Sequence, residues 1–360
     1  MSSAIDNHYI EGIRNTSIVI ALKDDIRILK CMDSIDEDVE VVLALNGTPS
    51  HICDKIRDHP KRPVLTQNGE PGNLGAAYNA GIEAASKRYI LLMDSDCLFG
   101  PGTIGKMASL ATRYPVVKGQ VTYGIAPGLV SKLIARIREF DEGDYVSALS
   151  PPLIYDRELS RKIGGHFSSL IHWCEDREFD FRMQMANIPV LYEGSATIHH
   201  DAQVGIQDLR SYWRYGIGEA IGQELGIFTT PLIPFLWRFC SDLRTVLECS
   251  FAKGALAGAY YCLTLLAFHS GTAWHKLRDP YNVKRRYPDT ARKVRMLWSI
   301  PQHCTILTDK QKQKLMAHHK RAGVTFEPSM EYVKLLEQVK SELSKEKSAS
   351  AEYGLVSNYG

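Results

Sequence analysis

No CxxC pair and no close, even spacing of cysteines occurs in this 360-residue chain. Its eight cysteines, at 31, 53, 97, 174, 240, 249, 262 and 304, are scattered, as expected for reduced thiols that fill cores in a cytosolic protein. A charge excess is also lacking: 43 basic and 41 acidic side chains leave a formal net charge of +2. That balance points to neither nucleic acid nor an acidic tail, so steering by charge has to be local. No GxGxxG follows the first apolar run, Ser17 to Leu22, which argues against a dinucleotide-dependent oxidoreductase. Met1 to Asn15 carries Asp6, His8, Glu11 and Arg14 where a secretory leader would have a basic start and an apolar run. We therefore expect the active domain on the cytoplasmic side. No internal repeat is evident.

What is present is a composition of 44% hydrophobic and 23% charged residues, that of a folded chain with room for one large domain and an appendage. Three short aliphatic runs, Ser17 to Leu22, Val39 to Leu45 and Tyr89 to Met93, read as strands buried on both faces. Between them Asp25 to Ser34 and Leu74 to Ser86 have helical spacing. The alternation predicts a doubly wound, mostly parallel α/β sheet whose ligands bind at the carboxyl ends of the strands. From Asp208 onward the pattern turns helical, and we place a domain boundary near Gly205. Residues 1–205 would form the catalytic domain, 206–340 a helical C-terminal region and 341–360, rich in Ser, Lys and Glu, a flexible tail.

Asp94-Ser95-Asp96 follows the third run directly. Two carboxylates one residue apart at the mouth of a sheet can hold a hard divalent cation, Mn2+ or Mg2+, against a diphosphate; a solvated turn is the plainer alternative. Upstream, Gly72-Asn73-Leu74-Gly75 to Asn79-Ala80-Gly81 opens a helix. Its small residues suit either phosphate approach at a helix N-terminus or tight helix packing. Glu175-Asp176 opens another helix, where a carboxylate can serve as a base toward an acceptor hydroxyl or simply cap the helix.

Taken in order, these motifs resemble family 2 glycosyltransferases of the GT-A fold over roughly Thr16 to Gly222. The resemblance rests on the Asp94-Ser95-Asp96 motif, on Gly164-Gly165 followed by His172-Trp173-Cys174-Glu175-Asp176 with Phe179 and Arg182, and on Ala196-Thr197-Ile198-His199-His200 as a final core strand. It implies an inverting, metal-dependent transferase that moves a sugar from a nucleotide-sugar donor onto an acceptor the sequence does not identify. It makes Asp176 the catalytic base and Asp96 with a histidine the metal ligands, with Asp94 on the ribose or a metal-bound water. His199 fits the family spacing better, and His200 is the other candidate. Ala21, Asn46, Gly72, Asn73, Asn79, Asp94, Ser95 and Arg214 are the donor-binding candidates. Asn46 stands where relatives carry an aspartate; an amide both donates and accepts, so it can still pair with uracil, and a UDP-sugar is the expected donor. Arg214, in Tyr212-Trp213-Arg214-Tyr215-Gly216, suits either a phosphate or packing beside aromatics. The rival is a non-catalytic nucleotide-sugar-binding partner protein of the same fold; the retained Asp94, Asp96, Asp176 and His199 argue against it.

Gly254 to Trp274 contains no Asp, Glu, Lys or Arg and is about long enough to span a bilayer, yet it is rich in small residues. It reads either as a helical pair buried against the catalytic domain or as a shallow membrane contact. From Lys276 to Arg321 thirteen Lys or Arg stand against three Asp. A cationic stretch beside an apolar helix suits peripheral contact with an anionic inner leaflet. No nucleic-acid contact is expected.

Overall fold

A computed structural model describes residues 2–279, except 70, 143–147, 163–164, 169–170, 186–187, 189 and 225–233. Gly164, the basic run beyond residue 279 and the tail at 341–360 lie outside the described residues.

The chain runs α1 (Ser2–Arg14), β1 (Thr16–Leu22), α2 (Ile28–Asp33), β2 (Glu40–Leu45), α3 (Ser50–Arg57), β3 (Val64–Gln67) and α4 (Leu74–Ala84). It continues through β4 (Tyr89–Asp94), β5 (Cys97–Phe99), α5 (Thr103–Ala111), β6 (Val116–Tyr123), α6 (Leu129–Glu142), β7 (Leu153–Asp156) and α7 (Arg157–Lys162). Then come α8 (Glu175–Met185), β8 (Leu191–His200), α9 (Gly205–Glu224), α10 (Pro234–Lys253) and α11 (Ala255–Arg278). The strands form one eight-stranded sheet in the order β3-β2-β1-β4-β7-β6-β8-β5. β1 to β4 are mutually parallel, β7 runs antiparallel to β4 and β6, β6 and β8 are parallel, and β5 is antiparallel to β8.

The expected apolar runs became β1, β2 and β4 because both their faces are covered. Successive side chains of a strand point to opposite faces. Ile18, Ile20 and Leu22 accordingly join Leu43, Leu91 and Met93 in one core beneath α2, α3 and α5. Val19 joins Val42, Ile90 and Leu92 in the other, under Tyr78 and Ile82 of α4 and Phe179 of α8. The mixed α/β architecture agrees with the sequence expectation, with an antiparallel far half that the apolar runs did not announce.

The helices after the sheet pack on each other and on α6. Arg138 of α6 donates to Asp208 Oδ1 of α9 from Nε and Nη2 at 3.0 and 2.7 Å, and the Tyr260 hydroxyl of α11 donates to Asp208 Oδ2 at 3.2 Å. Asp208 is fully buried, so this pair is held by its complete set of partners. α9 and α11 approach until backbone meets backbone. A Cβ on Gly216 would collide with the Phe268 carbonyl, and one on Gly271 with the Trp213 carbonyl. Thr272 Oγ1 donates to Gly216 O at 2.9 Å across the crossing, and the Trp213 and Trp274 rings lie 5.1 Å apart.

Gly271→Ala should therefore force the two helices apart and cost about 1–3 kcal/mol, the usual penalty for overpacking. Thermal unfolding of the full chain checks this: we expect a lowered Tm, and an unchanged Tm would show that the crossing is not close.

Candidate active site

The carboxyl end of the parallel strands is where the acids gather. β4 ends in Asp94, Ser95 and Asp96 make the turn, and β5 begins at Cys97. Asp94 pairs in register with Ala21 of β1, so that donor candidate lines the same strand ends. The Tyr78 hydroxyl donates to Asp94 Oδ1 at 2.7 Å. Burial, with the charge of Asp96 next, pushes the Asp94 carboxyl up to about 6, against the pull of Tyr78 and His200; Asp176 raises it further.

Strand alternation decides which histidine reaches Asp96. β8 pairs Cys97 with His200 and Leu98 with His199. His200 Nε2 lies 3.5 Å from Asp96 Oδ2, whereas the exposed His199 lies 3.2 Å from Thr122 Oγ1 through Nδ1. Neighbouring residues of a strand face opposite ways, so one histidine of the pair has to point away. Family spacing favoured His199; the structure puts His200 beside Asp96. The His200 Nδ1 is 2.7 Å from the Asp201 carbonyl, which can only accept, so this nitrogen carries a proton and Nε2 is the ring nitrogen that faces Asp96. Ligand atoms of Asp96, Cys97 and His200 all lie within 4.8 Å of one another. Burial pushes the Cys97 thiol well up and keeps it protonated. The remaining oxygen and imidazole donors fit Mn2+ or Mg2+ better than a thiolate-seeking metal.

Asp176 arrives from the other side, at the start of α8. Trp173 and Cys174, immediately before it, have positive φ of 62° and 106°, which non-glycine residues adopt only when their surroundings hold them. Here α9 does so. A Cβ on Gly218 would collide with the Trp173 carbonyl, Cys174 Sγ lies 3.5 Å from the Tyr215 carbonyl, and Arg177 pairs with Glu219. Arg214 lies over the Trp173 ring, 4.6 Å from its centroid. The Asp176 carboxylate accepts from the Arg177 backbone N–H at 2.7 Å. Burial raises its pKa, while that N–H and the charge of Lys118 pull it down. Glu175, 4% exposed, is raised well above its ordinary value, by burial first and then by Asp176.

Several donor candidates are occupied with the protein's own backbone. Asn46 Oδ1 accepts from Gly72 N at 2.6 Å and Asn68 Nδ2 at 2.8 Å, holding the loop before α4 against the end of β2. Asn73 caps α4 by accepting from Ala76 N at 3.0 Å. Asn79 donates to the Phe167 carbonyl at 2.8 Å and accepts from the Phe167 N–H at 2.9 Å. A Cβ on Gly75 would lie 2.7 Å from the Ser168 carbonyl, and Gly81 lies against Val19 and Ala44. The glycines of this segment thus serve close packing, the second of the two uses their sequence allowed. Gly72, at φ 88°, makes the turn.

Sequence reasoning passed over Arg27, Tyr78, Lys118 and Asp201. Only Arg27 left a signal: Asp25 two residues before it, just past the first strand.

Residues 17–166 match the family model described as Glycosyl transferase family 2, the family that the sequence motifs resemble. No curated protein matches the chain. Among solved structures, "Mannosyltransferase PcManGT from Pyrobaculum calidifontis in complex with GDP-Man and Mn2+" is similar at 12% identity with a TM-score of 0.47, over 83% of this chain and 94% of that one. A crystal structure of S. aureus TarS 1-349 is similar at 15% identity with a TM-score of 0.43, over 92% of this chain and 91% of that one.

A buried carboxyl with a raised folded-state pKa binds its proton more tightly folded than unfolded. Its contribution to stability is therefore lost as pH rises from the ordinary carboxylate range through the folded value. Glu175→Gln, which can still accept from the Cys174 N–H, removes that loss. We expect the variant to gain Tm over the wild type at pH 8 and less at pH 4, measured by thermal unfolding at both; an equal change at the two values would contradict a raised Glu175.

Proposed function

We propose that this chain is a family 2 glycosyltransferase that transfers a sugar with inversion from a nucleotide-sugar donor, with a UDP-sugar the first candidate, to an acceptor hydroxyl. Supporting this reading above all is the meeting of Asp176 with Asp94: carboxyls from the start of α8 and the end of β4 come close enough for the charge of Asp176 to raise Asp94. Asp96 and His200 would hold a divalent cation, which when bound neutralises charge on the departing diphosphate. Asp176 takes the proton of the acceptor hydroxyl as that oxygen attacks the anomeric carbon. A single displacement directed by one base inverts that centre. Its raised pKa makes Asp176 a stronger base than an ordinary carboxylate, while Lys118 and the Arg177 N–H favour its charged form. Tyr78 fixes Asp94 on the donor side of the site.

Two substitutions separate the roles. Asp176→Asn cannot accept a proton and should lose about 10²- to 10⁴-fold in transfer while keeping its donor affinity; near wild-type transfer would remove the base assignment. Asp96→Ala should abolish the effect of manganese(II) on UDP binding, followed by calorimetry with and without EDTA. Equal UDP affinity of the wild type in both conditions would remove the cation from the site.

We also propose that the helical region rests on an anionic membrane at its cytoplasmic face. Among the described residues no helix is long and apolar enough to cross a membrane. α11 buries Ala257, Gly258, Tyr260, Tyr261, Thr264 and Gly271 and leaves Leu256, Leu263, Leu266 and Leu277 exposed, beside Leu247 and Phe251 of α10. The chain that follows carries the basic excess, and each cation near an anionic surface adds about 1 kcal/mol. Sedimentation with phosphatidylserine-containing vesicles should carry the protein down at low salt and release it as salt rises. Protein left in the supernatant at low salt would exclude the contact.

A further inference from the structure

The acid cluster already holds a cation of its own. Arg27 stands at the N-terminal cap of α2, and its backbone N–H donates to Asp25 Oδ1 at 2.9 Å. Its guanidinium grips the same carboxylate: Nε donates to Oδ1 and Oδ2 at 2.9 and 3.1 Å and Nη2 to Oδ2 at 2.6 Å. The outer edge of the fork faces the site. Nη2 lies 3.3 Å from Asp96 Oδ2, and Nη1 lies 3.2 Å from Asp201 Oδ2. Two features set these outer contacts apart. They are longer than the Nη2 contact to Asp25, on a side chain that is 41% exposed and so has room to turn. They also engage Asp96 Oδ2, the oxygen that His200 Nε2 approaches.

Building on the cation reading of Asp96 and His200, we infer that Arg27 is a displaceable counter-ion that occupies Asp96 until donor and cation arrive together. A divalent ion entering alone has to push the guanidinium off Asp96 Oδ2, leaving a fixed positive charge close to another and without its partner. A diphosphate entering with the ion supplies that partner. Asp25 keeps Arg27 in place, and the freed Nη1 and Nη2 edge has the geometry to donate to phosphate oxygens. Cation and diphosphate then favour each other's binding, and by linkage the coupling is the same in either order of addition. Arg27 is on this account a positioning residue for the donor and a brake on unproductive metal binding.

The experiment is calorimetric titration of the full chain with manganese(II) alone, UDP alone and UDP in excess manganese(II), on the wild type, Arg27→Gln and Arg27→Lys. Without the guanidinium, manganese(II) alone should bind Arg27→Gln about tenfold tighter than the wild type. UDP in excess manganese(II) should bind it about tenfold more weakly, so that the coupling collapses. Arg27→Lys keeps the charge and should bind manganese(II) alone close to the wild-type value, which separates removal of the counter-ion from general damage. If Arg27→Gln and wild type bind manganese(II) alone equally while the wild type still binds UDP in a manganese-dependent way, the counter-ion role is overturned and the cation site stands. If no protein binds manganese(II) with or without UDP, both fall.

Discussion

Repulsion among carboxylates is the constraint around which this fold is arranged. Asp94 and Asp96 share one turn, and Glu175 and Asp176 open the helix that faces them. Two like charges about 6 Å apart repel by roughly 3 kcal/mol at an effective dielectric near 20. The basic and hydrogen-bond-donating neighbours of the cluster answer that cost. Tyr78 donates to one acid, Arg27 and His200 stand against another, and Lys118 with the first backbone amides of α8 favours a third. Of these four acids Glu175 is the most deeply buried, and burial raises its pKa well above the ordinary value.

The half of the sheet that carries the first strands was legible because its strands are covered on both faces. Ile18 to Leu22 and Tyr89 to Met93 have to be apolar throughout, and such runs stand out in a sequence. β6 was not legible: Val116 to Tyr123 contains Lys118, Gly119 and Gln120, whose places depend on partners β7 and β8 far away in the chain. β3 is four residues long and largely uncovered, so it has little hydrophobic signature to show.

The site divides in the same way. Asp94, Asp96 and Asp176 could be picked out because they adjoin strand and helix boundaries that the sequence marks. The choice between His199 and His200 could not be made, since it turns on which residue of β8 stands opposite Cys97. Asn46 and Asn79 have side chains suited to a ligand, yet they bond Gly72 N and the backbone of Phe167. A sequence records the donors and acceptors of an amide without recording who takes them. Arg27 owes its place to Asp25, a local contact, and its importance to Asp96 and Asp201, which are not local.

The contact between Gly218 and the loop at Trp173 gives the order of synthesis a chemical meaning. On a ribosome β4 and its two aspartates emerge first, β8 completes the sheet next, and α9 follows. Until α9 is present the loop at Trp173 and Cys174 lacks its contacts with Gly218 and Tyr215, and Arg177 beside Asp176 lacks Glu219. A nascent chain with a finished sheet would thus have the Asp94 and Asp96 turn in place before the start of α8 is braced. That brace arrives only with α9, and the crossing that seats α9 waits in turn for α11.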